Sequence, residues 1–132
     1  MTAFFEHKVR KTYMAFIQGQ LSRPRGQIDT PIEGARALTR YEVLDQKKSF
    51  SVVRVFPQTG RTNQIRIHFK QIGHPLVGET KFAFRKDYAL KSKRLCLHAC
   101  SLEFAHPATG KMIALESVLP DDLAEFLKIH SN

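Results

Sequence analysis

The order of hydrophobic and polar positions along the chain predicts a fold built mainly from β-strands. Five segments are rich in β-branched and aromatic residues and are bounded by glycine or polar residues, which is typical of strands. They are Val9 to Ile17, Leu38 to Leu44, Phe50 to Phe56, Leu95 to Phe104 and Met112 to Val118. The polar stretches 45–48 and 106–110 predict turns that join neighbouring strands.

A helix is predicted after the third strand. Ile65, Phe69 and Ile72 recur at intervals of four and three residues, which places them on one helical face. Residues 62–63 offer a hydroxyl and an amide that can cap the start of this helix, and Gly73 suits its end.

The C-terminal third predicts a long loop and a second helix. Residues 74–94 have weak periodicity and predict an extended loop, with room for a short helical turn. Asp121 to His130 begins with acidic residues and places its apolar residues on one face, which predicts a closing helix. No linker or repeat divides the chain, so we expect residues 1–132 to form a single domain. The predicted class is α+β, with a mixed, largely antiparallel sheet and a few flanking helices.

The chain is strongly basic, and its charge is concentrated in one region. Its 21 Lys and Arg against 12 Asp and Glu give a formal net charge of +9. Residues 61–94 hold nine of the basic residues and two of the acidic ones, whereas residues 95–132 carry a net negative charge. This distribution predicts a polyanionic partner, either a nucleic acid or an anionic membrane surface. The basic residues fall on predicted strands and loops instead of one amphipathic helix, which favours nucleic acid.

The sequence argues against a membrane-spanning, secreted or zinc-binding protein. No apolar run approaches the ~20 residues needed to cross a bilayer, and no secretion signal is visible, so we expect a cytoplasmic protein. Cys96 and Cys100 lie four apart in a predicted strand, too far along an extended chain for a disulfide, so reduced thiols are expected. Adding His98 or His106 does not complete a tetrahedral zinc site, and no metal site is predicted.

The segment from Gly60 to Arg66 combines a glycine turn, a capping hydroxyl, two amides and two arginines at the junction of a strand and a helix. Such a junction presents backbone N–H groups and guanidinium donors to a phosphate or carboxylate. Arg66 falls on the first helical turn near the apolar stripe, where a charge needs a partner. Two interpretations of Arg66 therefore stay open: a functional anion contact, or a structural ion pair with a core carboxylate.

Six short motifs occur in a fixed order along the chain. They are Lys11-Thr12-Tyr13, Ala37-Leu38-Thr39-Arg40-Tyr41, Gly60 to Arg66 with Ile67-His68, Gly73-His74-Pro75-Leu76-Val77-Gly78, Arg94-Leu95-Cys96-Leu97-His98-Ala99, and His106-Pro107. As an ordered set they resemble the C-terminal half of the RluA-type pseudouridine synthases, from about Phe4 to the closing helix. The resemblance implies part of the pseudouridine synthase fold, conversion of uridine to pseudouridine in RNA, and a reaction without a metal or organic cofactor.

The resemblance implies roles for three residues. Tyr13 is similar to the active-site tyrosine whose ring stacks on the target base, although a strand tyrosine taken alone is more often a core residue. Arg66 resembles the arginine that pairs with the nucleophilic aspartate and orients it. We therefore expect Arg66 to lie in a groove and to meet water, an anion or a substitute carboxylate. Leu97 is similar to the apolar residue packed under the flipped base, with a plain core leucine as the alternative.

Further residues are expected to contact RNA, and the implied partner is a structured ribosomal or transfer RNA. Four of them surround the predicted helix start: Arg61, Thr62, Asn63 and Gln64. The others are basic residues elsewhere in the chain: Arg23, Arg25, Lys81, Arg85, Lys86 and Arg94. For the two arginines in the loop predicted over 22–26, a solvated basic turn is the alternative.

The sequence departs from the family pattern in two places. Asn63 stands where the family more commonly has histidine, which keeps hydrogen-bonding capacity but removes a titratable group. Members also carry a His-Arg-Leu-Asp-x-x-Thr-Ser-Gly segment whose aspartate is the nucleophile, and no such segment occurs in these 132 residues. The five aspartates that are present all stand in turn or cap contexts.

The missing aspartate leaves two hypotheses. The chain is either part of an enzyme and inactive without the aspartate segment, or a non-catalytic RNA-binding module derived from the family. In the first case the missing N-terminal half is an expected partner. An open sheet edge and apolar surface would also favour self-association.

Overall fold

The computed structural model describes residues 9–79, 94–106 and 108–130. In chain order its elements are β1 (Val9–Gln18), β2 (Arg25–Ile28), β3 (Thr39–Gln46), β4 (Phe50–Pro57), α1 (Gln64–Gln71), β5 (Leu97–Ala105), β6 (Met112–Glu116) and α2 (Asp121–Ile129). The α+β class, the five predicted strands and both predicted helices are confirmed. The predicted strand bounds differ from the observed ones by at most two residues.

The six strands form one antiparallel sheet in the order β2-β3-β4-β1-β5-β6. Strand β1 is central, so its alternating side chains face the two layers that cover the sheet. Tyr13 pairs with Val55 on β4 and with Ala99 on β5. A register shift between Thr12 and Tyr13 distorts the pairing with β5, and such bulges are frequent next to functional sites.

Each face of the sheet is covered by one helix. Helix α1 packs through Ile65 and Phe69 on a cluster that includes Ala15. Helix α2 packs through Leu123 on a second cluster, which includes Phe16. Ala15 and Phe16 are neighbours on β1 and point to opposite faces, which explains why the two clusters are separate. Burial of a side chain such as Leu123, which is 2% exposed, stabilises the fold by roughly 1.5–3 kcal/mol.

The prediction of a loop over residues 22–26 is wrong at the C-terminal end of that range, because Arg25 and Gly26 begin strand β2. This short strand forms against β3, where Gly26 lies opposite Tyr41. A Cβ at Gly26 would stand 2.6 Å from the Tyr41 hydroxyl oxygen, so glycine is what allows the close approach. The strand therefore depends on a tertiary contact that the local pattern of residues does not encode.

Residues 74–79 lie against the C-terminal end of β1. The Gln18 N–H donates to the Pro75 carbonyl at 2.9 Å, and the Val77 N–H donates to the Phe16 carbonyl at 2.8 Å. Leu76 forms an isolated bridge with Ile17. The first part of the loop predicted over 74–94 is thus tied to the central strand, and residues 80–93 lie outside the described part of the chain.

Both cysteines are free, as predicted. Cys96 is buried, and the Cys100 thiol donates to the Thr12 carbonyl at 3.3 Å. Neither helix in the described ranges has the length and apolar content needed to cross a bilayer.

Candidate active site

A cavity of about 240 Å³ opens where β1, β4 and β5 meet the start of α1. The strands β1 and β5 supply Lys11, Tyr13 and Leu97 to its wall, and helix α1 supplies Ile65 and Arg66. The rest of the wall comes from the end of β4, the loop after it and the first residue of α1: Pro57, Thr59, Gly60, Arg61, Asn63 and Gln64. The fold therefore brings Tyr13, Arg66 and Leu97 together, although they are distant in the sequence.

Tyr13 reaches the cavity because side chains alternate along β1. Tyr13 packs partly against the cluster on the α1 side, whereas its neighbour Met14 packs against the cluster on the α2 side. The Tyr13 ring is half-buried, and its hydroxyl has no hydrogen-bond partner among the described residues. A half-buried aromatic ring offers a face to a flat ligand, and its open hydroxyl can form a hydrogen bond with that ligand.

Arg66 forms a bidentate ion pair with Glu79. Its Nε donates to Oε1 at 2.8 Å, and its Nη2 donates to Oε2 at 2.6 Å. The Glu79 side chain is fully buried, while the Arg66 side chain keeps 24% exposure in the cavity wall. Hydrogen bonding to Glu79 raises the pKa of Arg66 above its usual value, against the opposing effect of burial, so the guanidinium stays charged. Arg66 thus lines the cavity and also forms a structural ion pair with a buried carboxylate, so the two interpretations left open by the sequence are compatible.

A chain of hydrogen bonds holds the loop before α1. The Thr59 hydroxyl donates to Gln64 Oε1 at 2.5 Å, and this oxygen also accepts the Arg61 N–H at 3.1 Å. Gln64 Nε2 donates to the Leu38 carbonyl and to Thr39 Oγ1, both at 2.9 Å. All four hydrogen-bonding positions of this buried amide are used within the protein. The structure therefore does not support the predicted RNA contact of Gln64, which instead positions the loop that carries Arg61.

The start of α1 has an unusual backbone at Asn63. Its φ of +57° lies in the left-handed region, which asparagine adopts more readily than most residues. No side-chain hydrogen bond caps the helix, so the predicted capping by Thr62 or Asn63 is wrong in this respect. A capping side chain needs an extended backbone at this position, which Asn63 does not have. Asn63 lines the cavity, as does Arg61, whose Nε donates to the Arg36 carbonyl at 2.7 Å.

The family model for RNA pseudouridylate synthase matches residues 1–71, more than half of the chain. The chain belongs to the RNA pseudouridylate synthase family. It is 37% identical over 134 residues to the uncharacterized RNA pseudouridine synthase YlyB of Bacillus subtilis. It is 33% identical over 130 residues to the dual-specificity RNA pseudouridine synthase RluA of Haemophilus influenzae, and the predicted RluA type is thereby confirmed.

The similarity covers most of this chain and about half of each relative. The matches cover 91% and 86% of this chain, but 44% of the Bacillus relative and 59% of the Haemophilus relative. The solved structure of human RNA pseudouridylate synthase domain containing 1 superposes with a TM-score of 0.77 at 26% identity. That match covers 89% of this chain and 58% of the human chain. The predicted fold, part of the pseudouridine synthase fold, is therefore confirmed.

Two arginines predicted to contact RNA lie away from the cavity. In the register of the sheet, Arg25 on β2 lies opposite Glu42 on β3, and Glu42 lies opposite Arg54 on β4. Arg54 lies opposite Met14 on β1. Residues opposite each other on neighbouring strands point to the same face of the sheet, and Met14 packs on the α2 side. Arg25 therefore lies on the face opposite the cavity, so a direct contact with a nucleotide held there is not supported. Arg23 is exposed just before this strand.

The other predicted RNA contacts divide into three kinds. Arg94 donates to the Leu97 carbonyl at 3.3 Å and pairs with Asp122 at 3.1 Å, so it ties the start of β5 to α2 on the face opposite the cavity. The structure therefore assigns Arg94 a structural contact that the sequence did not predict. Thr62 is exposed beside the cavity without lining it. The remaining predicted contacts lie outside the described residues: Lys81, Arg85 and Lys86.

Sequence reasoning missed two residues of the candidate site. Lys11 lines the cavity two positions before Tyr13, and the period of two along a strand was the signal that could have found it. Glu79 pairs with Arg66 from another segment. Its only signal in the sequence was its position: an acidic residue directly after the Gly73 to Gly78 motif, in the most basic part of the chain.

Proposed function

We propose that this chain forms the base-holding part of the active site of an RNA pseudouridine synthase, which converts uridine to pseudouridine. The observation that carries the proposal is the cavity shared by Tyr13, Arg66 and Leu97. Family membership supports the reaction class, and the cavity offers the aromatic, cationic and apolar groups that this reaction needs.

The proposed reaction requires a firm hold on a detached base. It breaks the glycosidic bond, turns the uracil and rejoins it through carbon, so the uridine must first leave its stack and enter a pocket. In our proposal the Tyr13 ring stacks on the base and Leu97 adds an apolar contact. Both side chains stand on strands of one sheet, which keeps the base in place while it is separated from its sugar. The Tyr13 hydroxyl is available for the proton transfer.

The nucleophile of the proposed reaction is an aspartate from outside these 132 residues. Within the described ranges no aspartate lines the cavity. Arg66 is the cation that would orient a carboxylate delivered to the cavity. Covalent catalysis by one carboxylate requires no metal or organic cofactor. We therefore expect the 132 residues alone to be inactive, because loss of a covalent catalyst leaves only binding and electrostatic contributions.

A ribosomal or transfer RNA in the cytoplasm is the proposed substrate. The relative in Haemophilus influenzae is named a dual-specificity RNA pseudouridine synthase, and one in Nitrosomonas europaea is named ribosomal large subunit pseudouridine synthase D. In this chain Lys11 and Arg61 are exposed cations in the cavity wall, where they suit backbone phosphates. The predicted contacts Lys81, Arg85 and Lys86 add positive charge, which would strengthen binding to RNA phosphates.

A tritium-release assay on RNA labelled in its uridines tests the proposed function. The samples are the chain alone, the chain joined to the aspartate segment of a relative, and the joined protein with Arg66→Ala. We expect turnover only in the second sample, because a nucleophile without Arg66 is not oriented. Arg54→Ala in the joined protein is the matched control, since Arg54 pairs with Glu42 on the opposite face, and it should keep activity.

Two results would contradict the proposal in different ways. RNA binding without tritium release by the joined protein would indicate a non-catalytic RNA-binding module. Turnover by the chain alone would show that the nucleophile lies within it, and would direct attention to Asp29 or Asp87.

A further inference from the structure

Glu79 is buried more deeply than the arginine it binds. Its side chain has no exposure, and both of its oxygens accept hydrogen bonds from the Arg66 guanidinium, at 2.8 and 2.6 Å. A buried carboxylate is strongly unfavourable unless it is paired. The place of Glu79 in the fold therefore constrains where the guanidinium of Arg66 lies.

Glu79 is itself held in a rigid turn. Gly78 has a φ of +85°, and a Cβ at that position would collide with the Arg94 carbonyl oxygen. The Glu79 N–H donates to the Leu76 carbonyl at 3.1 Å, and Leu76 forms a bridge with Ile17 on β1. The backbone of Glu79 is thus tied to the central strand β1, which also supplies Lys11 and Tyr13 to the cavity.

We propose that Glu79 is a positioning residue of the active site, which holds the Arg66 guanidinium in the cavity wall in the orientation that meets the catalytic aspartate. This inference rests on the function proposed above. Two parallel N–H···O bonds fix both the position and the plane of a guanidinium. Without Glu79, Arg66 would keep its charge but lose the two hydrogen bonds that fix the plane of its guanidinium. A misplacement of about 1 Å at a group of this kind costs roughly 10²-fold in rate.

Replacement of Glu79 would affect activity differently if Glu79 only stabilises the fold than if it positions Arg66. If Glu79 only stabilises the fold, its replacement lowers activity only as far as it lowers the folded fraction. If Glu79 positions Arg66, the folded variant loses kcat. In that case KM for RNA changes little, because the exposed cations Lys11 and Arg61 are untouched.

The experiment compares Glu79→Gln with the unchanged protein, both joined to the aspartate segment. Thermal unfolding first defines a temperature at which both are folded, and kcat and KM are then measured there by tritium release. We expect kcat of Glu79→Gln to be lower by about 10- to 100-fold, with KM almost unchanged. Glu42→Gln is the matched control, because it removes an exposed carboxylate from Arg54 on the opposite face, and it should keep both constants.

Glu79→Asp decides the question if Glu79→Gln does not fold. It keeps the charge but withdraws the carboxylate by one methylene, so we expect kcat to fall by about 10-fold at unchanged KM. Unchanged kcat in a folded variant would overturn the inference, as would a loss of kcat that matches the unfolded fraction. Inactivity of the unchanged joined protein would overturn the proposed function itself, and with it this inference, so the two failures are distinguishable.

Discussion

The hydroxyl of Thr39 on β3 lies 2.7 Å from Nδ1 of His68 on α1, and both residues have no exposed surface. The Thr30 carbonyl can only accept, so Nε2 of His68 donates to it at 2.8 Å, and in the corresponding neutral tautomer Nδ1 accepts the Thr39 hydroxyl proton. Thr39 Oγ1 in turn accepts a hydrogen bond from Gln64 Nε2 at 2.9 Å. This network joins α1 to the sheet and sets the place of the helix that carries Arg66.

Thr39→Val should lower the free energy of unfolding by about 1–3 kcal/mol, because it removes a partner from Gln64 and leaves Nδ1 of His68 unsatisfied. Urea denaturation measures the change. Thr12→Val on β1 is the matched control: its hydroxyl makes no hydrogen bond among the described residues, so the change there should stay below about 0.5 kcal/mol. Equal effects at the two sites would show that the network contributes nothing of its own.

Tyr13→Phe should separate catalysis from stability. The free energy of unfolding should change by less than about 0.5 kcal/mol, because the hydroxyl has no partner in the described part of the chain. In the protein joined to the aspartate segment, kcat should fall by about 10²-fold, because our proposal gives the hydroxyl a part in the proton transfer. KM should stay close to the original value, since the ring is kept. An unchanged kcat would limit Tyr13 to stacking on the base.

Lys11→Ala should weaken RNA binding most at low salt. The slope of log affinity against log salt concentration should decrease in magnitude by about 0.7–0.9, which corresponds to the loss of one phosphate contact. Fluorescence anisotropy with a labelled structured RNA at several salt concentrations measures this slope. Lys48→Ala is the control, because Lys48 precedes β4 at the end away from the cavity, and its slope should match that of the unchanged protein. The phosphate contact is disproved if all three slopes agree.

Gly78→Ala should destabilise the protein more than Gly73→Ala does. Both glycines have a positive φ, of +85° and +84°, which alone costs an alanine about 1–2 kcal/mol. Within the described ranges, no atom outside the adjacent residues lies within 4 Å of a Cβ added at Gly73, whereas a Cβ at Gly78 collides with the Arg94 carbonyl. We expect a loss of roughly 2–5 kcal/mol at Gly78, since steric overlap adds to the backbone cost. Equal losses in urea denaturation would contradict the close approach of residues 78 and 94.

The sequence by itself determined five of the six described strands, both described helices and the family of this protein. The alternation along β1 and the four-and-three spacing of Ile65, Phe69 and Ile72 depend only on neighbours in the chain, so local geometry is enough to predict them. The ordered motifs likewise predicted the RluA-type family and the fold. They also singled out Tyr13 and Arg66, which the structure places in one cavity.

Only the tertiary structure decided which residues share a face, a partner or a cavity. Spacing in the sequence did not show that Glu79 binds Arg66, that the Gln64 amide is fully used inside the protein, or that Arg25 lies behind the sheet. Each of these facts depends on the register between strands and on which helix covers which face. A shift of register by one residue would move every side chain of a strand to the other face, so contacts between distant segments follow from the packed sheet and not from the local pattern.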